Sequence, residues 1–239
     1  MHRSTIRGTG LADITAKVSR VREQMAEAAI RAGRDPAAVR LVAVTKTFPA
    51  ETVQAAYECG LRDFGENRVQ EFCQKLPHLR TPCATFHLIG HLQSNKAQPA
   101  LAFDWIQTVD SERLARRLSQ AALEAQKIIS VLIEVKLAEE ADKTGVSESE
   151  LNRLVSVVTP LAGLDLRGLM AIPPHTEDPE RARPYFRRLR ELRDQLQESG
   201  SANLRELSMG MTHDFRVAIE EGATIVRIGT AIFGPREKK

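Results

Sequence analysis

Apolar positions along this chain switch repeatedly between two periods. From Leu11 to Ala32 they fall at Leu11, Ile14, Val18, Val21, Met25, Ala28 and Ala29, the spacing of one helix face, and Gly33 supplies a stop. Leu41–Val44 is instead a short apolar run that leads straight into Thr45 and Lys46, as a buried strand would. Helical spacing returns over Ala50–Cys59, with Gly60 as a C-cap signal. Further strands are expected at Leu61–Gly65, Thr85–Gly90, Trp105–Val109, Ser130–Val135, Leu166–Ile172, Leu204–Met209 and Thr224–Ile228.

Helical patterns fill the gaps between these strands. One opens at Glu66 and runs to about Leu76, and a second covers His91–Gln98 up to Pro99. Ser111 caps a third, whose apolar face is Leu114, Leu118, Ala121, Ala122 and Ala125. Ser147 with Glu150 reads as a capping box for a helix through about Val158. A long amphipathic helix presents Phe186, Leu189, Leu192 and Leu196 and should begin near Pro184. The last, Asp214–Glu221, ends at Gly222. Strands alternating with helices imply parallel pairing through right-handed crossovers. Eight such units favour an α/β fold, a single closed (β/α)8 TIM barrel with an extra N-terminal helix. An open doubly wound sheet would use fewer strands and a Gly-rich first turn that is absent here. The expected limits are a loose tail over residues 1–10, one barrel over 11–235 and a charged tail over 236–239.

Composition narrows the class further. The chain has 239 residues, a formal net charge of +3 and charges of both signs alternating along it, which describes ordinary solvated helix faces. A nucleic-acid partner is not expected: Arg183, Arg187, Arg188, Arg190 and Arg193 cluster, but Glu191 and Asp194 interrupt them. Cys59, Cys73 and Cys83 have no metal-type spacing and read as thiols in a reducing compartment. No apolar run approaches bilayer length and the first residues lack a signal-type apolar stretch. The expectation is a soluble, cytoplasmic protein with no membrane partner.

In a barrel the residues just past each strand meet at one mouth. Here these are Lys46, Asn67, His91, Asp110, Lys136, Ile172, Ser208-Met209-Gly210 and Gly229-Thr230. Barrels commonly bind phosphate with the loops after the seventh and eighth strands, and each of those loops offers a hydroxyl and a glycine. If Gly229 faces the mouth, period-two alternation turns Ile225 and Arg227 inward as well; the alternative is an arginine pointing out to a helix-borne carboxylate. Lys46 can serve as a phosphate counter-ion, a general base, a Schiff-base nucleophile or an ordinary strand-end amine in water. Taken together, a lysine, a phosphate cradle and an inward arginine describe a pyridoxal 5′-phosphate (PLP) site. The lysine would meet the aldehyde and the cradle the phosphate. The cationic arginine would leave the pyridine nitrogen unprotonated and weaken the ring as an electron sink.

Several longer motifs carry a resemblance. They are Leu41-Val-Ala-Val-Thr-Lys46, Phe64-Gly-Glu-Asn67 with Val69-Gln-Glu71, and His87-Leu-Ile-Gly-His-Leu-Gln-Ser-Asn-Lys96. Lys143-Thr-Gly145, Leu207-Ser-Met-Gly-Met211 with Asp214, Val226-Arg-Ile-Gly-Thr230 and Phe233-Gly234 continue them in one order. In these the sequence resembles the pyridoxal phosphate homeostasis protein family, single-domain relatives of the alanine racemase barrel. The resemblance implies PLP held covalently by Lys46, with phosphate contacts from Ser208, Gly229 and Thr230. It also places Arg227 at the pyridine nitrogen and Asn67 near the cofactor. It implies buffering and delivery of PLP, with PLP-dependent apoenzymes as recipients and no established catalytic reaction. Arg68, Lys136 and Thr212 stand where the family often has Tyr, Asn and Ser. No carboxylate partner of His87 or His91 is visible in the sequence, Lys96 can simply extend its helix, and Lys143 could be a second amine near the mouth. An amino-acid racemase or decarboxylase is the competing class. Related racemases take an opposing base from a second domain and a partner subunit, and the short stretch after Gly234 leaves no room for that domain. A barrel for a different phosphorylated ligand is the third reading. A monomer is expected, because no apolar dimer stripe stands out.

Overall fold

Eight parallel strands close into a ring in the computed structural model, which describes residues 10–138 and 144–235. They are β1 (Arg40–Val44), β2 (Asp63–Glu66), β3 (Thr85–Leu88), β4 (Trp105–Val109), β5 (Ile129–Lys136), β7 (Leu164–Met170), β8 (Glu206–Met211) and β9 (Ile225–Ile228). The ladder runs β4-β3-β2-β1-β9-β8-β7-β5, and a β4–β5 pairing closes it. β6 (Val146–Ser147) pairs only with the end of β5 and escapes a sequence reading because two residues show no period. The helices are α1 (Leu11–Arg31), α2 (Ala50–Glu58), α3 (Val69–Lys75), α4 (Ala97–Ala100), α5 (Glu112–Glu124), α6 (Glu148–Val158), α7 (Arg183–Glu198), α8 (Phe215–Glu220) and α9 (Thr230–Phe233). The expected (β/α)8 barrel with its preceding helix is what forms. Residues 1–9 of the expected tail at 1–10, the expected tail at 236–239, and Lys143 lie outside the described residues.

Two apolar layers hold the ring. Val42, Leu132, Met170 and Ile225, with Trp105 against them, form a small cluster inside the barrel. The much larger cluster lies between strands and helices and includes Ala43, Phe64, Phe72, Phe86, Phe103, Phe186 and Val226. α1 buries Ile14, Val18, Val21, Met25, Ala28 and Ala29 against α2, α8 and α9. Ile14, Val18, Val21 and Met25 each contribute about 1.5–3 kcal/mol on leaving water, so α1 is part of the core.

Local departures have local causes. Pro99 sits inside α4 rather than ending a helix before it. It is the third helical residue, where an N–H has no intrahelical acceptor to lose. The Ser147 hydroxyl meets Glu150 Oε2 at 2.8 Å instead of capping a backbone N–H. β8 carries a bulge between Ser208 and Met211, with Gly210 at φ 90°, and the strand ends two residues later than its apolar run. The arginines of α7 are neutralised by carboxylates: Arg183, Arg187 and Arg190 all reach Glu221, and Arg188 reaches Glu148. Among the described residues no helix is long and apolar enough to cross a membrane.

Candidate functional site

Lys46 stands one residue past Thr45 at the β1 end of the mouth, half-buried, in a tight turn closed by Phe48 N–H to Thr45 O at 3.1 Å. Thr47, next in the turn, has φ 69°, a conformation a β-branched residue adopts only when its surroundings impose it. The surroundings are a cluster of charges behind the turn. Glu71 Oε1 accepts the Thr47 N–H at 2.6 Å. Lys75 Nζ bonds both oxygens of Glu66, at 2.9 and 3.0 Å, and the Thr45 carbonyl at 3.1 Å. It also pairs with Glu71 at 3.0 Å, while Thr45 Oγ1 donates to Glu66 at 2.8 Å. Burial raises the Glu66 carboxyl above its ordinary range, opposed by Lys75 and Thr45. Burial also raises Glu71, but there the bonds from Lys75 and Thr47 prevail and hold it low. In the sequence Glu66 and Glu71 fall within the longer motifs with no role of their own, and nothing marks Lys75 except its i,i+4 spacing from Glu71.

Arg227 points inward, as its parity with Ile225 predicts. It is fully buried and donates to Ser208 Oγ at 2.5 Å and to the Ala171 carbonyl at 3.0 Å. Burial pushes the guanidinium down to about 10, with Asp214 and Glu134 opposing, so it remains a cation at neutral pH. The Ser208 hydroxyl in turn donates to Gln107 Oε1 at 2.7 Å. Gln107 Nε2 meets His87 Nδ1 at 3.0 Å, and His87 Nε2 meets Asp63 at 3.1 Å. These five side chains form one polar thread through the barrel interior. Ser208 therefore presents its hydroxyl to Arg227 and Gln107 within the barrel; it pairs in register with Ile225, four residues before Gly229.

The remaining strand-end residues ring the mouth. Asn67 is half-buried and packed against Gly90, whose carbonyl accepts from Thr108 Oγ1 at 2.9 Å. His91 Nδ1 lies 3.4 Å from Asp110, so both histidines that lacked a visible carboxylate in sequence have one in the fold. Glu134, two residues past the inward Leu132, accepts from Thr144 at 3.0 Å through Oε1. Its buried Oε2 has no partner among the described residues. Burial raises this carboxyl above its ordinary range; Thr144 opposes the rise and Asp110 adds to it. Gly229 precedes the single turn α9, with Thr230 exposed as its first residue, and the Ala231 N–H reaches Thr212 Oγ1 at 3.4 Å. Lys136 closes β5, half-buried. Among the described residues no three His, Cys, Asp or Glu side chains are grouped to hold a metal.

Burial lowers the pKa of His87, with Asp63 opposing. The unfolded chain therefore takes up a proton near the ordinary value of about 6.5 while the folded chain does not. Stability from this group is complete above about pH 6.5 and falls on acidification, by up to about 1.4 kcal/mol per pH unit. Denaturant unfolding between pH 5 and 7.5 should give a steeper acid-side decline for the wild type than for His87→Asn. Equal slopes would mean that His87 titrates normally.

Comparison with known proteins identifies the family. The family described as "Alanine racemase, N-terminal domain" matches residues 17–237. The pyridoxal phosphate homeostasis protein of Aquifex aeolicus is 45% identical over 222 residues, covering 92% of this chain and 97% of its own. That of Pseudomonas aeruginosa is 43% identical over 228 residues, with 95% and 97% covered. The structure of PipY from Synechococcus elongatus PCC7942, with PLP bound, superposes with a TM-score of 0.83 at 37% identity, covering 92% of this chain and all of PipY. D-threonine aldolase from Filomicrobium marinum shares the fold alone, with a TM-score of 0.73 at 19% identity, 93% of this chain covering 60% of the aldolase. Motifs, barrel and relatives converge: the chain belongs to the pyridoxal phosphate homeostasis protein family.

Proposed function

We propose that this chain binds PLP at the barrel mouth through Lys46 and holds it for delivery to PLP-dependent apoenzymes rather than for turnover. The observation that carries the reading is the placing of a half-buried amine just past the end of β1 beside a strand, β9, that carries a buried, inward-facing arginine. When bound, PLP supplies an aldehyde that a primary amine can hold covalently. The residues present fit that group. Lys46 offers the amine and Arg227 offers N–H donors with no lone pair, as an unprotonated ring nitrogen requires. Gly229 and Thr230 offer a hydroxyl and a glycine backbone at the strand end where barrels take phosphate. Glu134 Oε2 is a buried polar atom without a partner in the described protein, of the kind that calls for a ligand.

Each residue then has a holding task. The Glu66–Lys75–Glu71 cluster keeps the Lys46 turn in place, and Asn67 is fixed at the mouth by its contact with Gly90. Ser208 acts one step below the mouth, as the acceptor that orients Arg227. A cation rather than a carboxylate at the ring nitrogen withholds the proton that would make the ring a strong electron sink, which suits storage better than catalysis. The same reading takes the protein as a cytoplasmic monomer, its three cysteines being free thiols as a reducing compartment keeps them.

Borohydride reduction of PLP-loaded protein followed by peptide mapping should place the pyridoxyl group on Lys46, and Lys46→Ala should lose the visible absorbance. An adduct mapped elsewhere, or undiminished PLP binding by Lys46→Ala, would remove the assignment. Stereoinversion of a free amino acid by the purified protein would return it to the enzyme class.

A further inference from the structure

We propose that His87 and Gln107 are positioning residues for Arg227, joined to it by a single hydrogen-bond chain that runs through the barrel and ends on Asp63. The inference rests on the reading of Arg227 as the residue facing the pyridine nitrogen. Its physical content is the direction of the chain. Arg227 can only donate, and Asp63 as a carboxylate can only accept. Between them one arrangement gives every link of the chain a donor and an acceptor. Arg227 donates to Ser208 Oγ, Ser208 donates to Gln107 Oε1, Gln107 Nε2–H donates to His87 Nδ1, and His87 Nε2–H donates to Asp63.

Reversing any link breaks another. With the Gln107 amide flipped, Ser208 Oγ would accept from both Gln107 and Arg227, and its own hydrogen would lose Gln107 as acceptor. His87 would then carry its proton on Nδ1 and turn a bare Nε2 toward the Asp63 carboxylate, unless it took a second proton. His87 and Gln107 are both fully buried, so such a mismatch has no water to relieve it. The far end is anchored as firmly as the near one. His87 stacks on Trp105 at 5.5 Å, Arg40 lies over the same ring at 5.1 Å, and Arg40 Nε is 3.8 Å from Asp63. The described residues accept two of the five guanidinium N–H bonds of Arg227, through Ser208 and Ala171. The chain therefore fixes the plane of the guanidinium before any ligand arrives, from residues of β2, β3, β4 and β8.

Nitrogen-15 NMR of the protein without PLP tests the chain directly. His87 should show the Nε2–H tautomer with an unprotonated Nδ1 from pH 8 down to pH 6; an Nδ1–H tautomer or an imidazolium would overturn the proposal. A double-mutant cycle tests its consequence. Gln107→Leu should raise the PLP dissociation constant about tenfold, and by less than about twofold in an Arg227→Leu background, because the effect passes through Arg227. An equal loss in both backgrounds would mean general loosening of the barrel and overturn the proposal. Wild-type protein that takes up no PLP would refute the cofactor reading but leave the tautomer result standing, so the two failures are separable.

Discussion

Replacing Lys75 with methionine should lower folding stability by about 3–5 kcal/mol at neutral pH, the usual cost of removing one member of a buried ion pair. Glu66 is 1% exposed and Lys75 bonds both of its oxygens. Without the ammonium, only the Thr45 hydroxyl faces the carboxylate, and desolvation acts almost unopposed. Glu66 then keeps its proton to higher pH in the folded state than in the unfolded chain, where it ionises near its ordinary value of about 4.3. The sign follows: the deficit grows as pH rises above that value and shrinks toward acid. Urea unfolding at pH 7.5 and pH 5 should show the larger loss at pH 7.5. Adding Glu66→Gln to Lys75→Met should recover much of it, since a neutral amide need not ionise. A Lys75→Met protein with an unchanged midpoint at both pH values would refute the account of the cluster. The effect reaches the amine as well. Lys75 also bonds the Thr45 carbonyl and Glu71, which holds the strained Thr47. Borohydride trapping at Lys46 should therefore be weaker in any Lys75→Met protein that remains folded.

That cluster marks where sequence legibility ends. The strand–helix alternation was readable because barrel strands are apolar on both faces and the helices carry a stripe at 3.6-residue spacing. Arg227 was readable for a related reason: parity along β9 tells inside from outside once Gly229 is placed. Parity does not tell which inward residues touch. His87 and Gln107 belong to different strands, and their contact depends on the register of β3 against β4, in which His87 pairs with Trp105 and Leu88 with Ile106. The same limit applies to Ser208. Its hydroxyl and neighbouring glycine suggest a phosphate contact, and what the sequence does not show is that the side chain also bonds Gln107 and Arg227, with Ser208 four positions before Gly229 in register. Lys75 was missed because its partners are Glu66, on a strand, and a carbonyl of another strand end, and helical periodicity carries no information about either.

Gly90→Ala should be a severely damaging single-methyl change at the mouth. A Cβ at residue 90 would stand 2.3 Å from the Asn67 carbonyl oxygen and 2.9 Å from the Asn67 Cα. Both are backbone atoms, so no rotamer change clears the clash. Nor can residue 90 move away freely: its carbonyl accepts from Thr108 at 2.9 Å, and the preceding Ile89 N–H bonds Glu66 O at 2.9 Å. The requirement is for space, since Gly90 is not among the glycines with positive φ. Overpacking a rigid contact costs about 1–3 kcal/mol, and a backbone-to-backbone clash belongs at or above the upper end of that range. Relief must come by displacing Asn67, so the PLP dissociation constant should rise about tenfold or more, equivalent to about 1.4 kcal/mol of binding energy. Thermal or urea unfolding and PLP titration of the same sample measure both effects. Gly10→Ala, at the N-cap of α1 far from the mouth, where an added Cβ meets nothing within 4 Å, should leave the PLP dissociation constant unchanged and serves as the affinity control, its stability moving only by the weaker cap. A Gly90→Ala protein with wild-type stability and affinity would show that the Asn67 loop yields without consequence and would remove Asn67 from the site. The expected pairing of lost stability with lost affinity would instead tie the close backbone approach of the His87–Lys96 motif to the placement of Asn67.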